Sequence, residues 1–346
     1  MSAAADAWPL DGITGLRRRM IRCSRCGGTL KAGFAGMVLV LVATATLDGQ
    51  SSPGTDYHQH LFSPATAALA PGLTPVLADD LVKLLDLAGI RRAVVLSVAY
   101  QFGNPNRPPV ADEYAKVRAE NDWTSEQVGR FPDRLIGFCG INPLKDYALD
   151  ELSRCAKDPH LHLGLKLHFG NSDVDLDNPQ HVARLREVFR AANGYRMAVV
   201  IHMRPSVTMK RPYGARQAHT FLDEVVPAAP NVTIQIAHLA GAGGYDDPAI
   251  DQALAVFVDA IARNDSRMSH VYFDASSVTG LGHWEDKTER VATRIRQLGV
   301  SRVLYGSDGA AGENLRPREA WAAFRRLPLS EDEFRIIEAN VAPYMR

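Results

Sequence analysis

The stretch GLKLHFGNSDVDLDNPQHVARLREVFRAANGYRMAVVIH, residues 164–202, holds a short apolar run, an amphipathic segment of helical length and a second short apolar run. Gly164 to Phe169 and Met197 to Met203 are rich in Leu, Val and Ile and too short for ordinary helices, so both are expected as strands. Between them, Asn178 to Asn193 opens on Asn-Pro and runs up to Gly194, a start and a stop that favour a helix. Two strands joined through a helix pair in parallel, because a parallel connection has to cross back over the sheet.

The same unit recurs outward in both directions. Further apolar runs lie at Thr55 to Phe62, Ala93 to Ala99, Leu135 to Asn142, Val232 to Leu239, Val271 to Ser276 and Arg302 to Asp308. The eight starts lie 29 to 42 residues apart, the length of a βα unit and far beyond the spacing of sandwich strands. Helices are expected over Asp79 to Gly89, Pro248 to Arg263 and Asp286 to Gly299, with an eighth over Glu313 to Arg326. The array from 55 to 308 covers 254 residues, close to the roughly 250 of a closed (β/α)8 TIM barrel. An α/β chain with one barrel domain over 55–346 is therefore expected, with Ser330 to Tyr344 as a C-terminal helix against its outside.

Residues 1–54 differ in kind. Arg17, Arg18, Arg19, Arg22, Arg25 and Lys31 precede a 16-residue uncharged run, Ala32 to Leu47, with small residues at Ala43-Thr44-Ala45. A basic flank before an apolar run too short to span a bilayer predicts a signal peptide cleaved near Ala45, followed by a short linker. The expected product is exported, periplasmic or secreted; left uncleaved, the segment is an N-terminal membrane anchor. Met20 is an alternative start. The full chain carries 39 basic and 39 acidic residues, and removal of 1–45 leaves 33 against 37. That balance argues against a nucleic-acid partner and for a small-molecule one; a homo-oligomer is compatible with it. Cys23 and Cys26 form a C-x-x-C that would leave with the signal, and no second pair completes a zinc ribbon. Cys139 and Cys155 are expected as buried free thiols.

In such a barrel the reactive residues belong at the C-terminal ends of the strands. The first strand ends in Tyr57-His58-Gln59-His60, where alternation turns His58 and His60 to the same side. His202 closes strand five, His238 strand six and Asp308 strand eight, each a polar residue ending an apolar run. Three imidazoles and a carboxylate suit one divalent metal, zinc by default and manganese as the alternative. Asp308 could both ligate and accept a proton from metal-activated water, and His238, where it is not a ligand, could relay one.

These segments, D-Y-H-Q-H at 56–60, G-L-K-L-H at 164–168, V-I-H at 200–202, I-A-H-L-A-G at 236–241 and Y-G-S-D at 305–308, resemble the amidohydrolase superfamily. The likeness is to its amidohydrolase-related branch, which includes aminocarboxymuconate-semialdehyde decarboxylase. F-P-D-R-L-I-G-F at 131–138 with Asn142-Pro143 also looks like that branch. The resemblance covers about residues 55–346. It implies His58, His60, His202 and Asp308 as metal ligands and His238 as the catalytic histidine. Some members of the superfamily bridge two metals with a carboxylated lysine on strand four; here Lys166 is expected a layer deeper than His168 and poorly placed to bridge. Both are taken as substrate-binding or supporting residues.

Tyr100, Phe102, Arg107, Arg204, Lys210, Arg211, Tyr213 and Trp284 lie on loops that should frame the substrate. Cations among aromatics suit an anionic, unsaturated or aromatic molecule, and Arg204, two residues beyond His202, is the candidate to grip a carboxylate, with a salt bridge to an Asp or Glu on a neighbouring loop as the alternative. Gly241-Ala242-Gly243-Gly244 lacks the phosphate-loop fingerprints and is expected as a tight turn. The leading expectation is a metal-dependent hydrolase acting on an ester, lactone or amide. A nonoxidative decarboxylase on the same scaffold is the competitor, and a ligand-binding barrel that keeps its metal for stability is a third alternative.

Overall fold

Eight strands run in chain order around one sheet: β1 (Thr55–Gln59), β2 (Arg92–Leu96), β3 (Leu135–Gly140), β4 (Gly164–His168), β5 (Ala198–His202), β6 (Ile234–Ile236), β7 (Val271–Asp274) and β8 (Val303–Leu304). Every neighbouring pair is parallel. This computed structural model describes residues 51–346 apart from 71, 246, 281–284, 311 and 313. The signal segment, its cleavage near Ala45 and the Cys23–Cys26 pair lie outside the described residues. Tyr57 N–H donates to the Tyr305 carbonyl at 2.8 Å and Asp308 N–H to the His58 carbonyl at 2.9 Å. These two bonds join the last strand to the first and close the ring as a (β/α)8 TIM barrel.

Helices follow the strands in turn: α1 (Ala78–Ala88), α2 (Glu113–Gly129), α3 (Ala148–Cys155), α4 (Pro179–Tyr195), α5 (Ala215–Thr220), α6 (Pro248–Ala262), α7 (Thr288–Leu298), α8 (Pro317–Phe324) and finally α9 (Glu331–Ala339). Their ends follow capping chemistry. Asn178 accepts from the N–H groups of Gln180 and His181, Asp247 from that of Ala249, and Gly89 stops α1 at φ 69°. Gly194, expected to end α4, lies inside its last turn, and Arg196 at φ 60° is the residue that stops it.

Alternation along the strands divides the interior in two. Leu165, Leu167, Val199, Ile201, Ile234, Ile236 and Phe273 face outward into the core beneath the helices. Tyr57, Val94, Leu96, Phe138, Val200 and Leu304 fill the barrel itself. Gly164 is needed for this filling, since a Cβ there would lie 2.1 Å from the Phe138 ring.

The floor of the barrel corrects the sequence expectation for Ser330 to Tyr344. The helix ends at Ala339, and the chain then turns beneath the strands. Tyr57 Oη donates to the Asn340 carbonyl and accepts from Ala342 N–H, both at 3.1 Å, and Tyr344 Oη donates to Gln235 Oε1 at 2.7 Å. Tyr344 meets Phe138 edge-on, ring centroids 5.2 Å apart. An aromatic plug with satisfied hydroxyls seals the end opposite the active loops.

Cys139 and Cys155 are joined in a disulfide, not left as free thiols. The end of β3 and the end of α3 pack together with the two Cα atoms 6.0 Å apart, a separation a bridge spans. The sequence separation is 16, a loop whose closure restricts the unfolded chain by about 3 kcal/mol. Replacing both cysteines by alanine should therefore lower Tm by roughly 5–10 °C, read by circular dichroism without reductant. An unchanged Tm would mean that the bridge carries none of the stability.

Candidate metal centre and active site

The imidazoles at the mouth are held by the nitrogen that faces the protein. His60 Nδ1 lies 2.6 Å from the Leu96 carbonyl oxygen, which only accepts, so Nδ1 bears the proton and Nε2 keeps its lone pair. His58 Nδ1 likewise faces Asp274 Oδ2 at 3.1 Å, and His238 Nδ1 the Ser276 carbonyl at 2.9 Å. Orienting a ring through its far nitrogen is how proteins present histidine to a metal.

Asp308 supplies the carboxylate. Its Oδ2 accepts from Asn314 Nδ2 at 3.0 Å, but Oδ1 is buried without a hydrogen-bond partner and lies 3.6 Å from His60 Nε2. Two lone pairs facing each other in a buried site repel unless a proton or a cation lies between them. Burial, with Lys166 opposing it, pushes the Asp308 carboxyl up to about 8. A divalent cation would reverse that shift by providing the missing positive charge. The nitrogen and carboxylate donors thus fit a divalent metal, and ligand atoms of His58, His60 and Asp308 all lie within 4.8 Å of one another.

His202 is buried at the end of β5 but stands apart from that trio, with its ring stacked on His168 at 3.8 Å and set edge-on to His238 at 4.9 Å. Lys166 lies one layer below His168 in the strand register, and its Nζ reaches to 3.1 Å from His58 Nε2. A lysine side chain is long enough to climb one layer of the barrel, which the strand position alone does not convey. Burial draws its amine down to about 8, against the pull of Asp274 and Asp308.

Backbone strain gathers at the same residues. His238, Leu239 and Ala240 have φ of 54°, 48° and 65°, and Asp308 has 54°, a region that costs non-glycine residues roughly 1–3 kcal/mol each. His238 N–H is held by Asp274 Oδ1 at 3.0 Å, and the Ala240 carbonyl accepts from the Tyr213 hydroxyl. The turn aims the His238 ring back across the barrel mouth.

A family model described as amidohydrolase matches residues 55–338, the whole barrel with its site. The chain belongs to the amidohydrolase family. It is an enzyme of the branch that its sequence motifs resemble. No curated protein matches the sequence. Among solved structures, a 5-carboxyvanillate decarboxylase from Sphingomonas paucimobilis is similar at 17% identity, covering 86% of this chain and 99% of its own, TM-score 0.58. A probable 2-pyrone-4,6-dicarboxylic acid hydrolase from Acinetobacter baumannii is similar at 18%, covering 82% and 96%, TM-score 0.55. A zinc-bound amidohydrolase from Burkholderia multivorans is similar at 14%, covering 85% and 99%, TM-score 0.57.

Two residues of this amidohydrolase that the sequence reading passed over organise the site. Asp274, at the end of β7, accepts from His58 Nδ1, Gln235 Nε2, His238 N–H, Ser276 N–H and the Ser276 hydroxyl. Burial alone would raise its carboxyl, yet His58 and these donors hold it far below the usual range. Asp56 takes the Ser307 N–H at 3.0 Å and the His58 N–H at 3.1 Å, tying the strand that carries the H-x-H to the one that leads to Asp308.

The loops of the amidohydrolase divide the expected substrate contacts. Arg204 Nε donates to Asp247 Oδ2 at 3.1 Å and its guanidinium lies over the Tyr213 ring, but Nη1 is buried with no partner. Arg211 is spent on a forked pair with Asp173, Arg107 donates to the Leu69 carbonyl, and Phe102 packs against Val117. Tyr100 lies 5.2 Å from the His168 ring; Lys210 is exposed, and Trp284 lies outside the described residues. Gly243 and Gly244, at φ 91° and 67°, make the expected tight turn.

A pH dependence follows from the buried imidazoles. Mainly through burial, His58 is drawn down to about 4 and His238 to about 3, and His60, His168 and His202 lie well below the usual range. The unfolded chain protonates all five near pH 6.5. Asp56 and Asp308, raised chiefly by burial to about 6 and about 8, and Glu120, also raised by burial, hold protons in the fold that the unfolded chain releases, but they are three against five imidazoles. The unfolded state therefore binds more protons between pH 6.5 and 4, and stability falls as pH drops through that window. The Tm of chelator-treated protein should decline from pH 6.5 to 4; a flat or rising Tm would contradict the assignment of neutral imidazoles.

Proposed function

We propose that this amidohydrolase is a metal-dependent hydrolase acting on an ester, lactone or amide bond of a small, carboxylate-bearing substrate. The observation that carries the proposal is the unpartnered Asp308 Oδ1 opposite the free Nε2 of His60. His58, His60, His202 and Asp308 are the proposed ligands of one divalent metal, and zinc is favoured over manganese by the imidazole-rich donor set and by the zinc-bound Burkholderia neighbour. Such a metal supplies Lewis acidity and water activated at neutral pH. His238, neutral and with Nε2 unprotonated, is the proposed group that takes up a proton and hands it to the leaving group. Arg204 offers Nη1 to the substrate carboxylate, while its pair with Asp247 fixes the side chain.

Nonoxidative decarboxylation of an unsaturated or aromatic acid is the second reading, favoured by the decarboxylase neighbour from Sphingomonas. Zinc-loaded protein incubated with lactones, amides and aromatic carboxylic acids, with acid release and CO2 followed in parallel, separates the two. Metal-dependent acid release without CO2 is expected. CO2 release alone transfers the chain to the second reading, and neither product from metal-loaded protein rejects both.

We further infer export, supported by the basic flank and apolar run before Leu47 and by the Cys139–Cys155 bridge, which oxidising compartments favour. Mass spectrometry of the exported chain should find an N-terminus near residue 46; an intact N-terminus in a cytosolic fraction overturns the inference.

A further inference from the structure

His168 differs from the other imidazoles of the mouth in which nitrogen the protein has claimed, and in how. At His60 and His238 an acceptor faces Nδ1 and the lone pair is left on Nε2; at His58 the same lone pair faces Lys166 Nζ at 3.1 Å. At His168 the backbone N–H of Asn171 donates to Nδ1 across 3.1 Å. A nitrogen that accepts bears no proton, so the ring is neutral and Nε2 carries the hydrogen. The contact is built into the chain path, because His168 caps the short turn Phe169–Ser172 that follows β4.

The ring cannot swing away from this arrangement without losing its packing. It lies parallel to His202, 3.8 Å between centroids and 12° between planes, and is tilted against Tyr100 at 5.2 Å. His58, His60, His202 and His238 are 8% exposed or less, whereas His168 is partly open to solvent. Among the described residues nothing accepts from its Nε2–H. The site therefore presents several lone pairs that suit a cation and, beside them on a fixed ring, one neutral N–H that suits an oxygen.

We propose that His168 is a specificity-determining residue whose Nε2–H binds an acceptor oxygen of the substrate, a carboxylate or a carbonyl, next to the metal pole. The proposal rests on the hydrolase reading above and deepens it, since it names the substrate feature that the β4 side of the mouth selects. Molecules lacking an oxygen at that place leave the donor unpaired and are discriminated against.

Two variants and one spectrum test it. Nuclear magnetic resonance of protein labelled with 15N-histidine should find His168 neutral and protonated on Nε2. His168→Phe keeps a flat ring against His202 and removes the donor; His168→Gln places an amide N–H near the old Nε2 position. With zinc-loaded protein and benzoate as the probe, calorimetry should find binding weakened about tenfold or more in His168→Phe and within about threefold of wild type in His168→Gln, with zinc content unchanged in both. An Nδ1-protonated ring, equal benzoate affinity in His168→Phe, or loss of zinc from that variant overturns the proposal, the last by making His168 a ligand. Failure of the wild-type chain to take up zinc defeats the hydrolase reading instead, and it is seen before any benzoate is added.

Discussion

Asp308→Asn is expected to empty the metal site and to lower kcat/KM by about three orders of magnitude or more, because a metal contributes several kcal/mol to such a transition state. Asparagine is the appropriate replacement. It tolerates the left-handed backbone that Asp308 adopts at φ 54° and can keep a hydrogen bond with Asn314, so the fold should survive while the charge is lost. Opposite His60 Nε2 the site then offers a weak amide donor or acceptor in place of an anion, and a divalent cation loses its neutralising partner. Metal analysis of chelator-free protein should give about one ion per chain in wild type and little in the variant. Undisturbed metal content would remove Asp308 from the ligand set.

His238→Asn should retain the metal and lose about 10²- to 10⁴-fold in kcat, the range for a positioned acid or base. His238 also sits in left-handed backbone, which asparagine accepts, and its N–H contact with Asp274 does not depend on the side chain. What vanishes is the Nε2 lone pair, kept unprotonated because Nδ1 is committed to the Ser276 carbonyl. Full activity in the variant would show that proton transfer passes through another group. A parallel loss of metal would instead make His238 a ligand, through the grouping of His58, His238 and Asp274 within 4.8 Å.

Strand order was legible because parallel strands are buried on both faces and read as continuous apolar runs. Their C-terminal limits were less so: the run at Val232 to Leu239 leaves the sheet at Ile236, where the left-handed turn that aims His238 begins. Polar residues closing such runs pointed to His58, His60 and Asp308, and the same signal stood at Asp274 after Val271-Tyr272-Phe273 without being used. The reach of the Lys166 amine and the cysteine bridge were not legible for one physical reason. Each depends on which distant residue arrives beside it, the His58 ring or the end of α3, and strand alternation carries no information on that.

The aromatic plug beneath the barrel bears on the order in which the molecule can assemble. Tyr57 is hydrogen-bonded to Asn340 and Ala342, 283 and 285 residues further along, so a nascent chain emerging from the ribosome carries β1 long before its floor exists. Until residues 340–345 are synthesised, the barrel lacks the side chains that close one end, and β1 also waits for Tyr305 and Asp308 to complete the ring. Contacts of such long sequence separation make folding slow and late. Under the export proposed above that delay is useful: a polypeptide whose first strand cannot settle before its last segment is made remains threadable through a translocation pore.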